Sequence, residues 1–291
     1  MMKAKLTTTL LALAIAGASV HGQILVADGF SVDEYDDGTT INGLAGGSGW
    51  DGNWAVNLSD PNNALRYQGS NVSLGYTDTV GNSLVTTPGS LELHPGGSGA
   101  GELSRSFGDS LSGEIWISFL NIRTQNGNWN WQMQFADAGG TAQINVQNHS
   151  SNGQFRLQAG GSTSSNLSLL NYDTNWEPGD DAQLYLIQAT NVGSGSADAS
   201  VTLWANPNDL ENLTVGAAAS VSLSNVQVDT LSQFIFDKGA GTDQTGFFDE
   251  LRIGTSSADV LPIPEPRVYA ALFGAFALIF AGYRRIARHT N

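Results

Sequence analysis

The sequence of 291 residues predicts an all-β fold, a β-sandwich or jelly roll, over residues 23–261. Glycine contributes 35 residues and charged residues only 13% of the chain, and both values disfavour long helices. Short runs of β-branched and aromatic residues recur between turn clusters, and no amphipathic helix of twelve residues occurs in this region. A hydrophobic content of 41% is sufficient for a packed core, which argues against a disordered chain.

The first 22 residues are set apart from this fold because they have the pattern of a secretory signal peptide. Two lysines precede an apolar run over residues 10–18, and Val20-His21-Gly22 offers small residues before Gln23. Small residues inside the apolar run offer an earlier cleavage point. We expect an exported chain; a buried N-terminal helix is the alternative.

The other end predicts a transmembrane helix over residues 268–283, a stretch without any charge. At about 1.5 Å per residue this stretch spans roughly 24 Å, close to the ~30 Å of a bilayer core. Arg284, Arg285 and Arg288 follow at once, and such a basic cluster marks the cytoplasmic side. The preceding chain is therefore expected to face outward and to be tethered to the inner membrane; a buried helix is the alternative.

Pro264-Glu265-Pro266 stands just before this helix, where two prolines require an extended and exposed backbone. The three parts in this order resemble the PEP-CTERM sorting signal of Gram-negative bacteria, over residues 262–291. The resemblance implies recognition by an exosortase, a membrane protease-transpeptidase, followed by delivery to the cell surface or the extracellular matrix. Arg267 departs from the usual pattern, in which a small or hydroxyl residue follows the motif.

The charge balance limits the partners of the region between the two ends. The chain has 27 Asp and Glu against 12 Lys and Arg, and all acids except Glu265 lie in residues 23–261. Such a surface repels phosphate backbones, so nucleic acid is excluded as a partner. It is better suited to cations and to neutral glycans. The absence of cysteine excludes thiol catalysis and Cys-ligated metals.

Individual strands follow from the pattern of side chains. In residues 129–135 large apolar residues alternate with amides, which predicts one buried and one wet or ligand-facing side. Residues 115–120 are apolar on both sides, as in a central strand. The odd positions of residues 247–253 are expected to share one side. The predicted strands are residues 24–27, 102–107, 114–122, 129–135, 142–147, 154–158, 183–190, 200–204, 220–228, 231–236 and 247–253.

Several of these segments also resemble concanavalin A-like, or laminin-G-like, domains of bacterial surface proteins. The resemblance implies a jelly roll of two curved antiparallel sheets, in which the first strand near residues 24–28 lies beside the last near residues 247–253. Because this superfamily includes lectins, glycosidases, adhesion modules and scaffolds, the fold does not decide the function. The matching segments are Asp28-Gly29-Phe30, residues 46–52, residues 115–119, residues 201–207 and residues 248–255.

The sequence predicts no catalytic residues, and the protein is not expected to be an enzyme. Glycoside hydrolysis needs two carboxylates across the sugar bond, and the Glu-x-Asp-x-x-Glu string of jelly-roll glucanases is absent. Asp249 and Glu250 are adjacent, so they are expected to point to opposite sides of a strand. No Gly-x-Ser-x-Gly elbow or phosphate-binding loop precedes a helix.

Calcium is the one cofactor for which the sequence contains candidate ligands. Acids concentrate in residues 33–37, and Ca²⁺ takes six to eight oxygen ligands. Asp33 and Asp36 are the candidate ligands of this loop. Asp28, together with Asp249 or Glu250, would complete the set if the first and last strands pair. An ordinary solvated acidic loop is the alternative.

Asn130, Gln132 and Gln134 form the candidate glycan-binding row, with Gln143, Asn145 and Gln147 close to it in sequence. Most tryptophans are expected in the core because of their large apolar area. The row could equally be an ordinary solvent-facing surface. The sequence therefore favours an exported, surface-sorted structural or interaction protein associated with the envelope or with extracellular polysaccharide. A lectin-like carbohydrate-binding module is the alternative, and a polysaccharide-degrading enzyme comes third.

Overall fold

A computed structural model confirms the all-β sandwich: the residues that it describes form sixteen strands and one helix of four residues. None of the described segments forms an apolar helix of membrane-spanning length. The signal peptide, the Pro264-Glu265-Pro266 motif, the 268–283 span and the arginine cluster all lie outside the described residues. The structure describes residues 23–58, 65–68, 72–93, 101–123, 131–148, 154–164, 167–168, 182–213, 220–238 and 246–263.

The strands form two antiparallel sheets of eight strands each. Sheet A has the order β14-β13-β12-β6-β16-β4-β3, and β1 also pairs with β16. Its strands are β1 (Ile24–Asp28), β3 (Leu65–Gln68), β4 (Ser90–Leu93), β6 (Gly113–Arg123), β12 (Gln183–Val192), β13 (Ala199–Ala205), β14 (Ser220–Val226) and β16 (Gly246–Gly254).

Sheet B has the order β10-β9-β8-β7-β15-β5-β2, and β11 pairs with β9. The helix α1 (Ser257–Val260) follows the last strand of sheet A. The strands of sheet B are β2 (Trp50–Leu58), β5 (Gly101–Leu111), β7 (Trp131–Ala136), β8 (Ala142–Asn148), β9 (Gln154–Ala159), β10 (Ser162–Thr163), β11 (Leu167–Ser168) and β15 (Leu231–Lys238).

All eleven predicted strands are present, although residues 129 and 130 lie outside the described part. Five strands were not predicted: β2, β3, β4, β10 and β11. In β2 the reason is a glycine, Gly52, whose φ of +68° interrupts the strand, so that its register against β5 shifts between Asp51 and Ala55. The sequence around Gly52 therefore has the composition of a turn although it lies in a strand.

The main core lies between the two sheets, where the inward side chains of both meet. β7 shows the predicted alternation: Trp131, Met133 and Phe135 are buried, whereas Gln132 and Gln134 lie on the other side and are partly exposed. Trp54 and Trp131 are among the largest fully buried side chains, as expected for most tryptophans.

The centre of sheet A is buried on both sides, as the apolar residues 115–120 of its central strand β6 predict, whereas the edge strand β14 has exposed side chains. A second apolar cluster joins the outer side chains of β6 and β12, such as Leu120 and Leu186, to Leu74, Leu210 and Val260. The described residues form no comparable apolar layer over the outer side of sheet B. Sheet B is therefore the sheet with a wet outer surface.

The expected alternation of β16 is wrong because the strand contains a bulge. Glu250 has a φ of +55°, and the register against β6 shifts between Asp249 and Arg252. Phe248, rather than Phe247, consequently joins the inter-sheet core, and Phe247 lies in the outer cluster. The expected neighbourhood of first and last strands is confirmed by the antiparallel pairing of β1 with β16.

Replacing Phe248 by alanine should lower the free energy of unfolding by about 3–5 kcal/mol, the range for large-to-small changes at buried aromatic sites. The side chain is fully buried, and its ring centroid lies 5.7 Å from that of Phe30 and 5.8 Å from that of Phe234. Denaturant unfolding checks this. Val80→Ala is the control, because Val80 is 64% exposed and its loss should change stability by less than about 0.5 kcal/mol. Equal effects of the two substitutions would contradict the assigned core.

Candidate functional site

The outer side of sheet B carries a continuous surface of amide side chains. The register of β7 and β8 places Gln132 beside Gln147 and Gln134 beside Asn145, and that of β8 and β9 places Asn145 beside Gln158. Ile144 and Val146 point into the core, so the intervening side chains of β8 must point outward. We call this surface the amide face: Gln132, Gln134, Gln143, Asn145, Gln147 and Gln158.

Hydrogen bonds connect several side chains of the amide face to one another. Asn145 Nδ2 donates to Gln132 Oε1 at 3.0 Å and to Gln158 Oε1 at 3.1 Å. Gln132 Nε2 in turn donates to Asp237 Oδ2 at 2.7 Å. Asn145 is only 6% exposed, yet its Oδ1 atom has no hydrogen-bond partner. A buried acceptor without a hydrogen bond destabilises a fold by about 1–3 kcal/mol, and no described residue donates to this oxygen.

The predicted glycan row is therefore assembled in part. Gln132 and Gln134 lie side by side on the same strand, and the pairing of β7 with β8 adds the three amides that were only close in sequence. In the described part of the chain the Gln134 side chain makes no hydrogen bond. Asn130 lies outside the described residues.

Sequence reasoning missed two carboxylates that extend this surface. Asp237 on β15 lies opposite Gln132, and Glu102 on β5 lies opposite Asp237. Both side chains are partly exposed. The two acids are far apart along the chain, so only the pairing of β5 with β15 brings them together. No spacing rule for a single strand could have found them.

The second polar cluster is built around the buried carboxylate of Asp28. Its Oδ1 accepts from the backbone N–H of Phe30 at 2.9 Å, and its Oδ2 accepts from Tyr35 Oη at 2.7 Å and Trp54 Nε1 at 3.1 Å. Arg105 Nη1 lies 3.6 Å from the same Oδ2. The oxygens of Asp28 are thus surrounded by donors and by a cation, a setting that suits a carboxylate and repels a metal ion.

Arg105 is held in place by two rings and two carbonyls. Its guanidinium carbon lies 5.1 Å from the ring centroid of Trp50 and 5.3 Å from that of Trp54. It also donates to the carbonyl oxygens of Gly46 at 2.8 Å and Gly52 at 3.0 Å. The guanidinium is therefore a structural group that joins a loop to sheet B.

Burial governs the ionisation of this cluster. It raises the pKa of Asp28 to about 6, against the opposing effect of the hydrogen bonds from Tyr35, Phe30 and Trp54. Burial, together with the nearby charge of Asp28, also raises the pKa of Tyr35. Burial lowers the pKa of Arg105, while the charge of Asp28 opposes that shift.

The four predicted calcium ligands do not come together. Asp249 is fully buried, and its oxygens accept from the backbone N–H groups of Glu250 at 2.8 Å and Leu74 at 3.4 Å. Asp33 and Asp36 are exposed, and Asp28 is occupied by its donors. Among the described residues no group of three Asp, Glu, His or Cys could hold a metal ion. The expected cage is therefore absent from this part of the chain.

Asp249 and its neighbour Glu250 support the bulge of β16 instead. Glu250 accepts from the Thr87 hydroxyl at 2.8 Å and from the Arg252 guanidinium. Burial raises the pKa of Asp249 well above its usual value, and the charge of Glu250 adds to that shift. Burial raises the pKa of Glu250 as well, although Arg252 opposes the shift.

Comparison with known proteins finds similar folds but no family. No family model matches the chain, and no curated protein matches it. Among solved structures 117 chains match. An endo-β-1,4-glucuronan lyase from the fungus Trichoderma reesei is 17% identical, with 78% of this chain and 97% of the lyase covered and a TM-score of 0.41.

Two further solved structures match the chain with similarly low sequence identity and TM-score. The exoplasmic/lumenal domain of VIP36 in its Ca²⁺/Man3GlcNAc-bound form is 9% identical, with 65% of this chain and 85% of that domain covered and a TM-score of 0.41. A sialidase is 15% identical over 64% of this chain, with a TM-score of 0.38, and the chain spans only 17% of its length. At these identities the likeness concerns the arrangement of strands and not the chemistry of any site.

The Asp28 carboxyl should make the stability of the fold depend on pH. Because its pKa is about 6 in the folded chain and 3.8 ordinarily, the folded state binds the proton more tightly. Its contribution to stability is therefore gained as the pH falls through 6 and lost again as the pH rises through that window, by up to about 3 kcal/mol. In Asp28→Asn the free energy of unfolding should rise less between pH 6 and pH 4 than in the parent. Denaturant unfolding at both pH values measures the difference.

Asp33→Asn is the matched control for this comparison, because Asp33 is an exposed acid in the same part of the chain. It should keep the pH dependence of the parent protein. Asp249 and Glu250 act in the same direction as Asp28 but remain in both variants, so they cancel in the difference. Identical slopes in the parent and Asp28→Asn would contradict the assignment.

Proposed function

We propose that the folded part of this chain is a non-catalytic carbohydrate-binding module that takes a non-anionic, hydroxyl-rich glycan on the amide face. The observation that carries the proposal is the partly exposed amide of Gln134, which makes no hydrogen bond in the described part of the chain and lies beside the hydrogen-bonded network of Asn145, Gln132 and Gln158. A sugar hydroxyl would donate to the oxygen of this amide or accept from its nitrogen.

The geometry of a sheet suits such a ligand. Neighbouring strands lie about 4.8 Å apart, so the amides of β7, β8 and β9 form a regular grid of donors and acceptors. A sugar hydroxyl both donates and accepts, and an amide does the same with fixed geometry. Gln134 supplies a partly exposed amide without any partner in the described part of the chain. The acidic surface excludes anionic polymers.

A binding role is preferred to hydrolysis because of the environment of the two acids on this surface. Glu102 and Asp237 are partly exposed, and Asp237 accepts a hydrogen bond from Gln132 Nε2 at 2.7 Å within the protein. The carboxylates that are buried, Asp28 and Asp249, are occupied by backbone and side-chain donors. The proposal therefore assigns no catalytic residue.

We also propose that the module acts outside the cell, at the envelope or in extracellular polysaccharide. The signal-peptide pattern of residues 1–22 and the resemblance of residues 262–291 to a PEP-CTERM signal support this. Residues 23–261 would then be the exported domain, exosortase the processing partner, and the 268–283 helix a temporary tether to the inner membrane. Export is also compatible with the excess of acidic residues and with the lack of cysteine in the sequence.

Gln134→Ala should weaken glycan binding by about tenfold, the effect of losing one or two hydrogen bonds. The side chain has no internal partner, so its loss should leave the melting temperature unchanged. Binding of the full-length protein in detergent to a glycan array, followed by calorimetry with the best ligand, measures the change.

Gln188→Ala is the control, because Gln188 is a partly exposed glutamine on β12 of sheet A. It should leave binding unchanged. If no glycan binds, or if Gln188→Ala weakens binding as much as Gln134→Ala, the assignment of the amide face is wrong.

Replacing Pro264-Glu265-Pro266 by three alanines should block processing and leave the uncleaved chain in the inner membrane. The physical reason is that proline disfavours helical backbone at its own and the preceding position, and a protease binds its substrate in extended form. Cell fractionation with mass determination of the mature chain shows the outcome. The matched control replaces Pro262 by alanine, which lies outside the motif. Unchanged size and location of the triple variant would remove the sorting proposal.

A further inference from the structure

Gln23 is the first residue of the described part of the chain, and its backbone is fixed by the residue that follows β16. Its N–H donates to Thr255 Oγ1 at 3.0 Å, and its carbonyl oxygen accepts from the Thr255 N–H at 3.2 Å. These two bonds extend the antiparallel pairing of β1 with β16, in which Ile24 lies opposite Gly254. The backbone nitrogen of Gln23 is therefore held at a defined place at the end of sheet A.

The predicted removal of the signal peptide would make this same residue the first of the mature chain. Val20 and Gly22 supply small residues at the two positions that a signal peptidase reads, so cleavage after Gly22 exposes the α-amino group of Gln23. The cleavage point comes from the sequence and the bonds to Thr255 come from the structure. Two independent observations thus meet at Gln23.

The side chain of Gln23 is available for reaction. Gln23 is exposed, and its carboxamide makes no hydrogen bond within the described part of the chain. Ile24, the next residue, is 50% exposed, and Gly254 opposite it has no side chain. Among the described residues no hydrogen bond holds the carboxamide away from the backbone nitrogen of its own residue.

An amino-terminal glutamine in this state can close a lactam ring. The neutral α-amino nitrogen attacks Cδ of the carboxamide, the C–N bond of a five-membered ring forms, and the bond between Cδ and Nε2 breaks. One proton of the amine passes to the leaving nitrogen, which departs as ammonia. The step needs no oxidant, reductant or cofactor. Because the pKa of an α-amino group lies only slightly above neutral pH, part of this group is in the reactive neutral form.

We propose that the exported chain carries pyroglutamate at position 23, formed by this ring closure after cleavage between Gly22 and Gln23. The lactam nitrogen keeps one N–H, which is the number that the bond to Thr255 Oγ1 uses. The backbone carbonyl of residue 23 lies outside the ring and still accepts from Thr255. The modification therefore preserves both bonds at the start of β1, removes the positive charge of the terminus, and withholds the free amine that an aminopeptidase requires.

The test expresses the full-length chain with its own signal peptide in a Gram-negative bacterium and identifies the amino-terminal peptide of the exported protein by mass spectrometry. This peptide should begin at residue 23 and be lighter than the free-glutamine peptide by one ammonia. Edman degradation should give no sequence until pyroglutamyl aminopeptidase has removed the first residue. An isotope-labelled synthetic peptide with a free Gln23 terminus, added at lysis, measures the ring closure that occurs during work-up.

Gln23→Asn is the matched variant, because its carboxamide is one methylene shorter and could close only a strained four-membered ring. The exported variant should still begin at residue 23 and should give a readable amino-terminal sequence. Gln227→Ala is the control: Gln227 is an exposed glutamine in the interior of the chain, and its loss should leave the terminus blocked. A blocked terminus in Gln23→Asn would show that another group caps the chain and overturns the inference.

The other outcomes separate this inference from the proposed function, of which it uses only the export. A free amine on Gln23, or cleavage inside the apolar run, overturns the pyroglutamate and leaves export intact. A retained signal peptide overturns the pyroglutamate and export together. Glycan binding is independent of each outcome, because the amide face belongs to sheet B and Gln23 is bonded beside β16 of sheet A.

Discussion

The buried contact between Asp28 and Arg105 is the interaction on which this structure most depends, because it joins the two sheets of the sandwich. Asp28 ends β1 of sheet A, whereas Arg105 belongs to β5 of sheet B, and Trp54 of β2 bonds to the same carboxylate. Burying two charges is costly unless further hydrogen bonds satisfy them. Tyr35 and Trp50 supply part of that environment, through a hydroxyl donor and an aromatic face. The loop between β1 and β2 is fixed by the same contacts.

The scarcity of basic residues shapes how the other buried acids are satisfied. Backbone N–H groups take the place of cations: Asp78 accepts from Leu210 at 2.9 Å and Asn82 at 2.7 Å, and Asp259 accepts from Ser256 at 2.8 Å. Burial alone would raise the pKa of Asp78, but these bonds lower it below its usual value.

The outer sides of the two sheets differ: apolar side chains cover part of sheet A, and polar side chains cover sheet B. The central strands of sheet A pack a second apolar cluster on their outer side, against the loops around Leu74 and Leu210 and against α1. The edge strand β14 of this sheet keeps exposed side chains. Sheet B keeps its outer side polar, and its inner side anchors the strands through Trp131 and Phe236. A rigid inner side is what allows amides on the outer side to hold fixed positions. The surface proposed to bind glycan is therefore on the sheet that the fold does not need to cover.

The sequence alone determined the fold class, the eleven regular strands, the central position of β6 and the alternation of β7, because each follows from local periodicity and turn composition. It also placed Gln132 and Gln134 on one side of a strand. Only the tertiary structure decided that a bulge at Glu250 moves Phe248 into the core and that Asp28 faces Arg105 rather than a metal ion. Strand register decided the rest: residues far apart in the chain become neighbours through backbone pairing, and no local pattern encodes which strands pair.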